Sequence, residues 1–235
     1  MITLYHDTLS APARAARLAC GEYGAETELV EEHVWEKRQG FAALNPALTL
    51  PVMEADGVTV VGIHPVLEYI EDTRGGAVRT DGEGAGRRLH SANPATRAET
   101  RRLVDWFLGK MDEEVTRHLV RERVEKLIMP RELGGGSPNS AAMRIARANV
   151  KHHMRYLEWL AGSRAWMAGD ALTYADLAAG AAVSVLDYLG EISWEESPYA
   201  KDWYGRIKSR PSFRPLLADR VKRVSPSSHY ADLDF

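Results

Sequence analysis

Apolar and polar positions change period along the chain. Near the start, the alternation of Ile2 and Leu4 with polar neighbours reads as a strand over Ile2–Tyr5, Pro12 to Gly24 as a helix stopped by glycine, and Thr27–Val30 as a second strand. A strand–helix–strand start implies parallel pairing. Val52-Met53 and Val58–Val61 are two β-rich runs separated by Asp56-Gly57, a dipeptide suited to a tight hairpin turn. His64-Pro65 then marks a helix start. Proline is favoured at the first helical position, so the pattern predicts His64 as the cap and Val66–Asp72 as the helix.

After a stretch with five glycines from Gly75 to Gly86, the period becomes that of long helices. From Pro94 to Val124, Leu103, Phe107, Met111, Val115 and Leu119 form one apolar face among Arg and Glu. Gly134 to Pro138 breaks the pattern. A second long helix resumes through Ile145, Tyr156, Leu157 and Leu160. A third, Thr173–Leu189, is rich in Ala and Gly and is expected at the centre of this half. Shorter helices are predicted over Tyr199–Lys208 and Phe213–Ala218.

With 235 residues, 45% of them hydrophobic, the chain can bury a large core and is expected to form two domains acting as one body. Thirty basic against 33 acidic residues give a formal charge of −3, which draws it toward neither nucleic acid nor an anionic membrane. One cysteine, Cys20, excludes an intrachain disulfide and reads as a small core residue. The chain begins on a strand with no apolar leader and has no run of 18 apolar residues, so a cytoplasmic protein is expected. His152-His153 has no carboxylate at metal-ligand spacing and reads as solvated surface; no metal site is expected. Arg117, Arg121, Arg144, Arg147 and Lys151 form either a positive stripe or, with Glu113, Glu114, Glu122 and Glu125 among them, a mixed-charge face.

The stretch from Asn45 to Gly57, with Leu50-Pro51 ahead of the hairpin, resembles the glutathione-transferase signature. Thr173-Tyr174-Ala175-Asp176 resembles the capping motif of the same family's buried helix, and Arg17-Leu18-Ala19 a run of its first helix. The resemblance implies a thioredoxin-like α/β domain (1–78), a linker (79–87), an all-helical domain (88–218) and an extended tail (219–235). It implies a cis bond before Pro51, with the Leu50 backbone pairing to the cysteinyl unit of glutathione. Ser10 falls where serine-type members carry the hydroxyl that stabilises the thiolate; as a residue it reads equally as the helix N-cap. Where the family shows an acidic residue followed by serine, this chain has Gly62-Ile63. Losing two hydrogen bonds to charged groups, at roughly 1.5–3 kcal/mol each, weakens glutathione binding by about two to four powers of ten. The glutathione site is therefore expected to be degenerate, and no cofactor is assigned. Lys37 or Arg38 remains a candidate for the glycine carboxylate.

Two segments invite a protein partner. The loop Glu32 to Arg38 carries Trp35, and in the ending His229-Tyr230-Ala231-Asp232-Leu233-Asp234-Phe235 apolar residues interleave with acidic ones, as suits docking into a basic-rimmed groove. That ending resembles a group of alphaproteobacterial transferase-like proteins that bind the division GTPase FtsZ. The resemblance implies a non-catalytic homodimer at the division site that promotes filament curvature or bundling through its tails. A serine-type transferase using Ser10, or a carrier of a hydrophobic ligand in the interdomain cleft, is the alternative.

Overall fold

The computed structural model describes residues 1–75 and 88–233; the expected linker (79–87), Asp234 and Phe235 lie outside the described residues. Four strands, β1 (Ile2–His6), β2 (Thr27–Glu31), β3 (Val52–Ala55) and β4 (Val58–Val61), form one sheet in the order β2-β1-β3-β4. β1 and β2 run parallel, whereas β1–β3 and β3–β4 are antiparallel, with Leu4 opposite both Leu29 and Met53. In the β3–β4 turn Asp56 and Gly57 both have positive φ, 53° and 78°, the backbone that an Asp-Gly hairpin favours. Helix α1 (Ala11–Glu22) begins at the Ser10 cap and connects β1 to β2, and a short α2 (Gln39–Leu44) leads toward β3. The 3-10 turn Val34–Glu36 and α2 have no counterpart in the elements read from the sequence.

Helix α3 spans Ile63–Arg74 and is capped by Gly62, φ 88°. It therefore starts earlier than His64-Pro65 suggested. Proline is tolerated anywhere in the first turn, where N–H groups lack intrahelical acceptors, and Pro65 occupies the third helical position.

The helical half opens with a long helix, α4 (94–128), in which α-helical turns alternate with π-helical turns at Trp106–Lys110, Asp112–Thr116 and Arg121–Glu125. It is followed by α5 (Ser140–Ser163), α6 (Tyr174–Leu189), α7 (Pro198–Lys208) and α8 (Arg214–Leu217). Every residue of α6 is buried. Its Thr173 start carries the reciprocal capping box, and the Asp176 carboxylate also accepts from Met167 N (2.8 Å) and Trp203 Nε1 (3.1 Å). A carboxylate with so many donors is a structural clamp.

Helix α1 packs against α6 and joins the two halves through charged clamps. Arg17 forms a bidentate pair with Asp219 (2.8 and 2.9 Å), and Glu22 accepts from Arg210 (2.6 Å) and Ser212 (2.6 Å). Arg14 is fully buried. Its guanidinium donates to Thr8 O (2.8 Å), Ser184 Oγ (2.7 Å), Tyr230 Oη (3.0 Å) and Asp219 (3.3 Å).

Those contacts correct the picture of an extended tail. Tyr188 donates to Val224 O (2.9 Å), Ser227 N donates to Tyr188 O (2.9 Å), and the fully buried Tyr230 ring meets Tyr188 edge-on at 5.0 Å. Residues 219–230 are thus pinned onto the body of the protein. Replacing Arg14 by Leu leaves Asp219 short of a partner and Ser184 and Tyr230 short of a donor. We expect R14L to lose about 3–5 kcal/mol in urea unfolding and Y230F, which keeps the ring, only about 0.5–1.5 kcal/mol.

Candidate functional site

A cleft of about 340 Å³ opens between the halves, lined by Asp7, Leu9, Ser10, Pro12, Val34, Leu48, Thr49 and Leu50 on the sheet side and Leu108, Asp112, Arg117, Val120 and Glu125 of α4. The sheet side is built by two turns: the β1–α1 connection, which ends at the Ser10 cap, and the loop before β3. The Leu50–Pro51 bond is cis. Leu50 makes no backbone hydrogen bond among the described residues, so its N–H and C=O remain available to an extended ligand backbone. The α4 side depends on the π-helical turns. Over the seventeen steps from Leu108 to Glu125, a regular α-helix would turn about 100° out of register, and wider turns return both to one face.

Ser10 Oγ accepts from Ala13 N at 3.4 Å, the N-cap geometry, with its hydroxyl proton free to donate into the cleft. The charges around it do not favour an anion. Asp7, Asp112 and Glu125 face a single guanidinium, Arg117, which is already paired to Asp112 (3.1 Å). Thr116 also donates to Asp112 (2.5 Å). Burial, reinforced by Asp7, pushes the Glu125 carboxyl above its ordinary range; Arg121 at 3.6 Å opposes the shift. His33 is held above its usual value by its hydrogen bond to Asp7 (3.1 Å). Each of these cations is already paired to a carboxylate, so the cleft lining offers the thiolate and the carboxylates of glutathione no unpaired positive charge.

Neither residue at the start of α3 supplies a side-chain grip. Gly62 has none, and Ile63 packs against the core. Only the first amides of the helix point outward. Arg38 is not free for a ligand carboxylate, because its guanidinium is committed to the fully buried Glu32, whose charge requires a partner. Lys37 is exposed with φ 50°.

The partner candidates do not converge on the cleft. Trp35 sits half-buried in the turn Val34–Glu36, its ring stacked on His33 at 5.3 Å, and its buried Nε1 has no acceptor among the described residues. His229 meets Asp187 at 3.0 Å, and its carbonyl accepts from the buried Lys208 (3.1 Å). Tyr230 is fully buried and so offers no outward anchor; Arg14 is its partner. Asp232 and Leu233 are exposed, Leu233 at 46%, and lie beyond that anchor.

One buried side chain escaped the sequence reading. His153 is buried against Glu114 (3.0 Å) because it shares the inner face of α5 with Val150 and Leu157; only His152 is solvated. Of the two readings of the cations on the long helices, the mixed-charge face holds for Arg117, Arg121 and Arg147, which pair with Asp112, Glu125 and Glu191. Burial raises the Cys20 thiol to about 11, which leaves it inert. Among the described residues no group of three or more His, Cys, Asp or Glu can hold a metal ion, and no helix is long and apolar enough to cross a membrane.

Comparison with known proteins places this geometry. Residues 4–77 match the family model of the glutathione S-transferase N-terminal domain, and residues 137–220 that of the C-terminal domain. FtsZ-localized protein A of Caulobacter vibrioides (strain NA1000 / CB15N) is 39% identical over 237 aligned residues, covering 99% of this chain and 98% of that protein. The crystal structure of a glutathione S-transferase from Sinorhizobium meliloti 1021 superposes with a TM-score of 0.94 at 55% identity, covering both chains completely. FzlA from C. crescentus superposes with a TM-score of 0.88 at 38% identity, covering 100% of this chain and 99% of the other.

The raised Glu125 fixes the sign of one pH effect. A carboxyl whose folded pKa lies above its unfolded value costs stability once pH exceeds the unfolded value, and the cost is complete above the folded one. We expect E125Q to raise the melting temperature at pH 8, with the gain vanishing below about pH 4.5, the ordinary glutamate value from which the shift starts. A gain that persists unchanged at pH 4 contradicts this.

Proposed function

The chain belongs to the glutathione S-transferase family, and from that premise we propose that it is a non-catalytic member that binds FtsZ filaments at the cytoplasmic division site and promotes their curvature or bundling. The observation that carries this reading is the 39% identity to FtsZ-localized protein A across 99% of the chain, the C-terminal segment as well as both domains. The cleft supports it: three carboxylates facing one committed guanidinium make a poor home for glutathione, and Gly62-Ile63 lacks the side chains that grip it. No cofactor is assigned.

The partner-binding parts are the end of the chain, from the exposed Asp232 and Leu233 through Asp234 and Phe235, and the Trp35 loop. His229 and Tyr230 act one step back, fixing where that end leaves the body. A homodimer displays two such ends, and once one has engaged a filament the second engagement is effectively intramolecular, so individually weak contacts suffice to bridge filaments.

A second reading, a serine-type transferase, is favoured by the Ser10 cap and the free Leu50 backbone at one cleft. It predicts conjugation of glutathione to an electrophile, lost in S10A.

Co-sedimentation with GTP-assembled FtsZ distinguishes them. The comparison chain should end at Ala231, which retains Tyr230 and so removes residues 232–235 without unpinning the segment. The full chain is expected to pellet with FtsZ, with or without millimolar glutathione, whereas the shortened chain and W35A stay in the supernatant. Equal pelleting of the shortened chain removes the tail from the mechanism. No pelleting, together with S10-dependent turnover, establishes the transferase reading instead.

A further inference from the structure

Helix α5 has a charged outer face that neither the cleft nor the C-terminal segment uses. Arg144, Lys151 and Arg155 succeed one another at steps of seven and four, which places them within about 20° of one line on the helix, spaced about 10 and 6 Å apart. All three are exposed and make no ion pair or hydrogen bond among the described residues. Most other cations are engaged, and the chain as a whole is acidic, with a formal charge of −3. Three uncompensated cations in register on one helix are therefore a local reversal of the overall field.

Beside this line runs a groove of about 270 Å³ between α5 and the segment 191–197, with Val150 and Met154 in its floor and Arg147, Lys151 and Arg155 along one wall. Of the two carboxylates lining the groove, Glu191 is neutralised twice, by Arg123 (2.6 Å) and Arg147 (2.8 Å), so it does not repel an anion. On the far wall Ser193 offers an oxygen to backbone N–H groups, and the Glu196 carboxylate repels acidic side chains and so keeps them on the α5 side. Ile145 lies one residue from Arg144 and is 62% exposed, an apolar contact at the end of the cationic line.

We propose that this face is a second docking surface, and that it takes an extended acidic peptide segment bearing apolar side chains. In an extended chain alternate residues fall on one side about 6.6 Å apart, which matches the Lys151–Arg155 spacing. Acidic side chains then meet α5 while apolar side chains enter the groove over Val150 and Met154. The surface shares no residue with the interdomain cleft, so it acts independently of what that cleft retains.

The test uses the full chain and a fluorescein-labelled peptide of Glu-Leu repeats, followed by fluorescence anisotropy, with a Lys-Leu peptide as the reverse-charge probe. The triple variant R144E/K151E/R155E is compared with R88E/R131E/K222E, which makes the same change in net charge at exposed positions elsewhere. The acidic peptide is expected to bind, to weaken as salt rises, and to lose about tenfold or more in affinity in the α5 variant only. Equal loss in both variants, no loss in either, absence of binding, or equal affinity for the Lys-Leu peptide overturns the proposal. Because the probe contains no FtsZ, failure here leaves the pelleting result untouched, and the reverse holds as well.

Discussion

A buried guanidinium needs partners on every side, and Arg14 takes them from three parts of the chain. Through Thr8 O it fixes the turn that becomes the cleft wall, through Ser184 it holds the central helix α6, and through Asp219 and Tyr230 it holds the C-terminal segment. Removing this charge from water costs several kcal/mol, which good geometry in all four contacts must offset. Cleft, helical core and tail are consequently registered against one another by one side chain. Arg17–Asp219 and Glu22–Arg210 extend the same registration along α1.

That framework holds the glutathione S-transferase fold in register independently of the residues at the start of α3. The Ser10 cap and the capping box at Thr173 satisfy backbone groups at helix starts, whatever the cleft binds. The side chains that would hold glutathione carry no such duty. At their places stand a glycine with φ 88°, an isoleucine turned to the core and a cleft with a carboxylate surplus.

The sequence showed what local chemistry specifies. Asp56-Gly57 dictates its hairpin, Thr173 and Asp176 their cap, and the apolar period of Leu103, Phe107 and Met111 its helix, because each signal lies within a few residues. What it concealed depends on partners far along the chain. Arg14 and Arg17 sit among alanines, and nothing nearby announces that Asp219, some two hundred residues on, is their counter-charge. Tyr230 interleaves with acidic residues as a partner-binding anchor would, yet its partner is internal. The π-helical turns that bring Asp112 and Glu125 to the cleft likewise leave no mark on a pattern judged by a period of 3.6.

Hydrogen–deuterium exchange of the full chain, alone, with assembled FtsZ, and with glutathione, reports directly on whether this fold now binds through its edge or through its cleft. The account predicts that FtsZ slows exchange in the backbone beyond Tyr230 and in the turn around Trp35, that glutathione changes nothing around Ser10 and Leu50, and that the segment 219–230 is protected throughout. Protection by glutathione at Ser10 and Leu50, with no change anywhere on adding FtsZ, would contradict it.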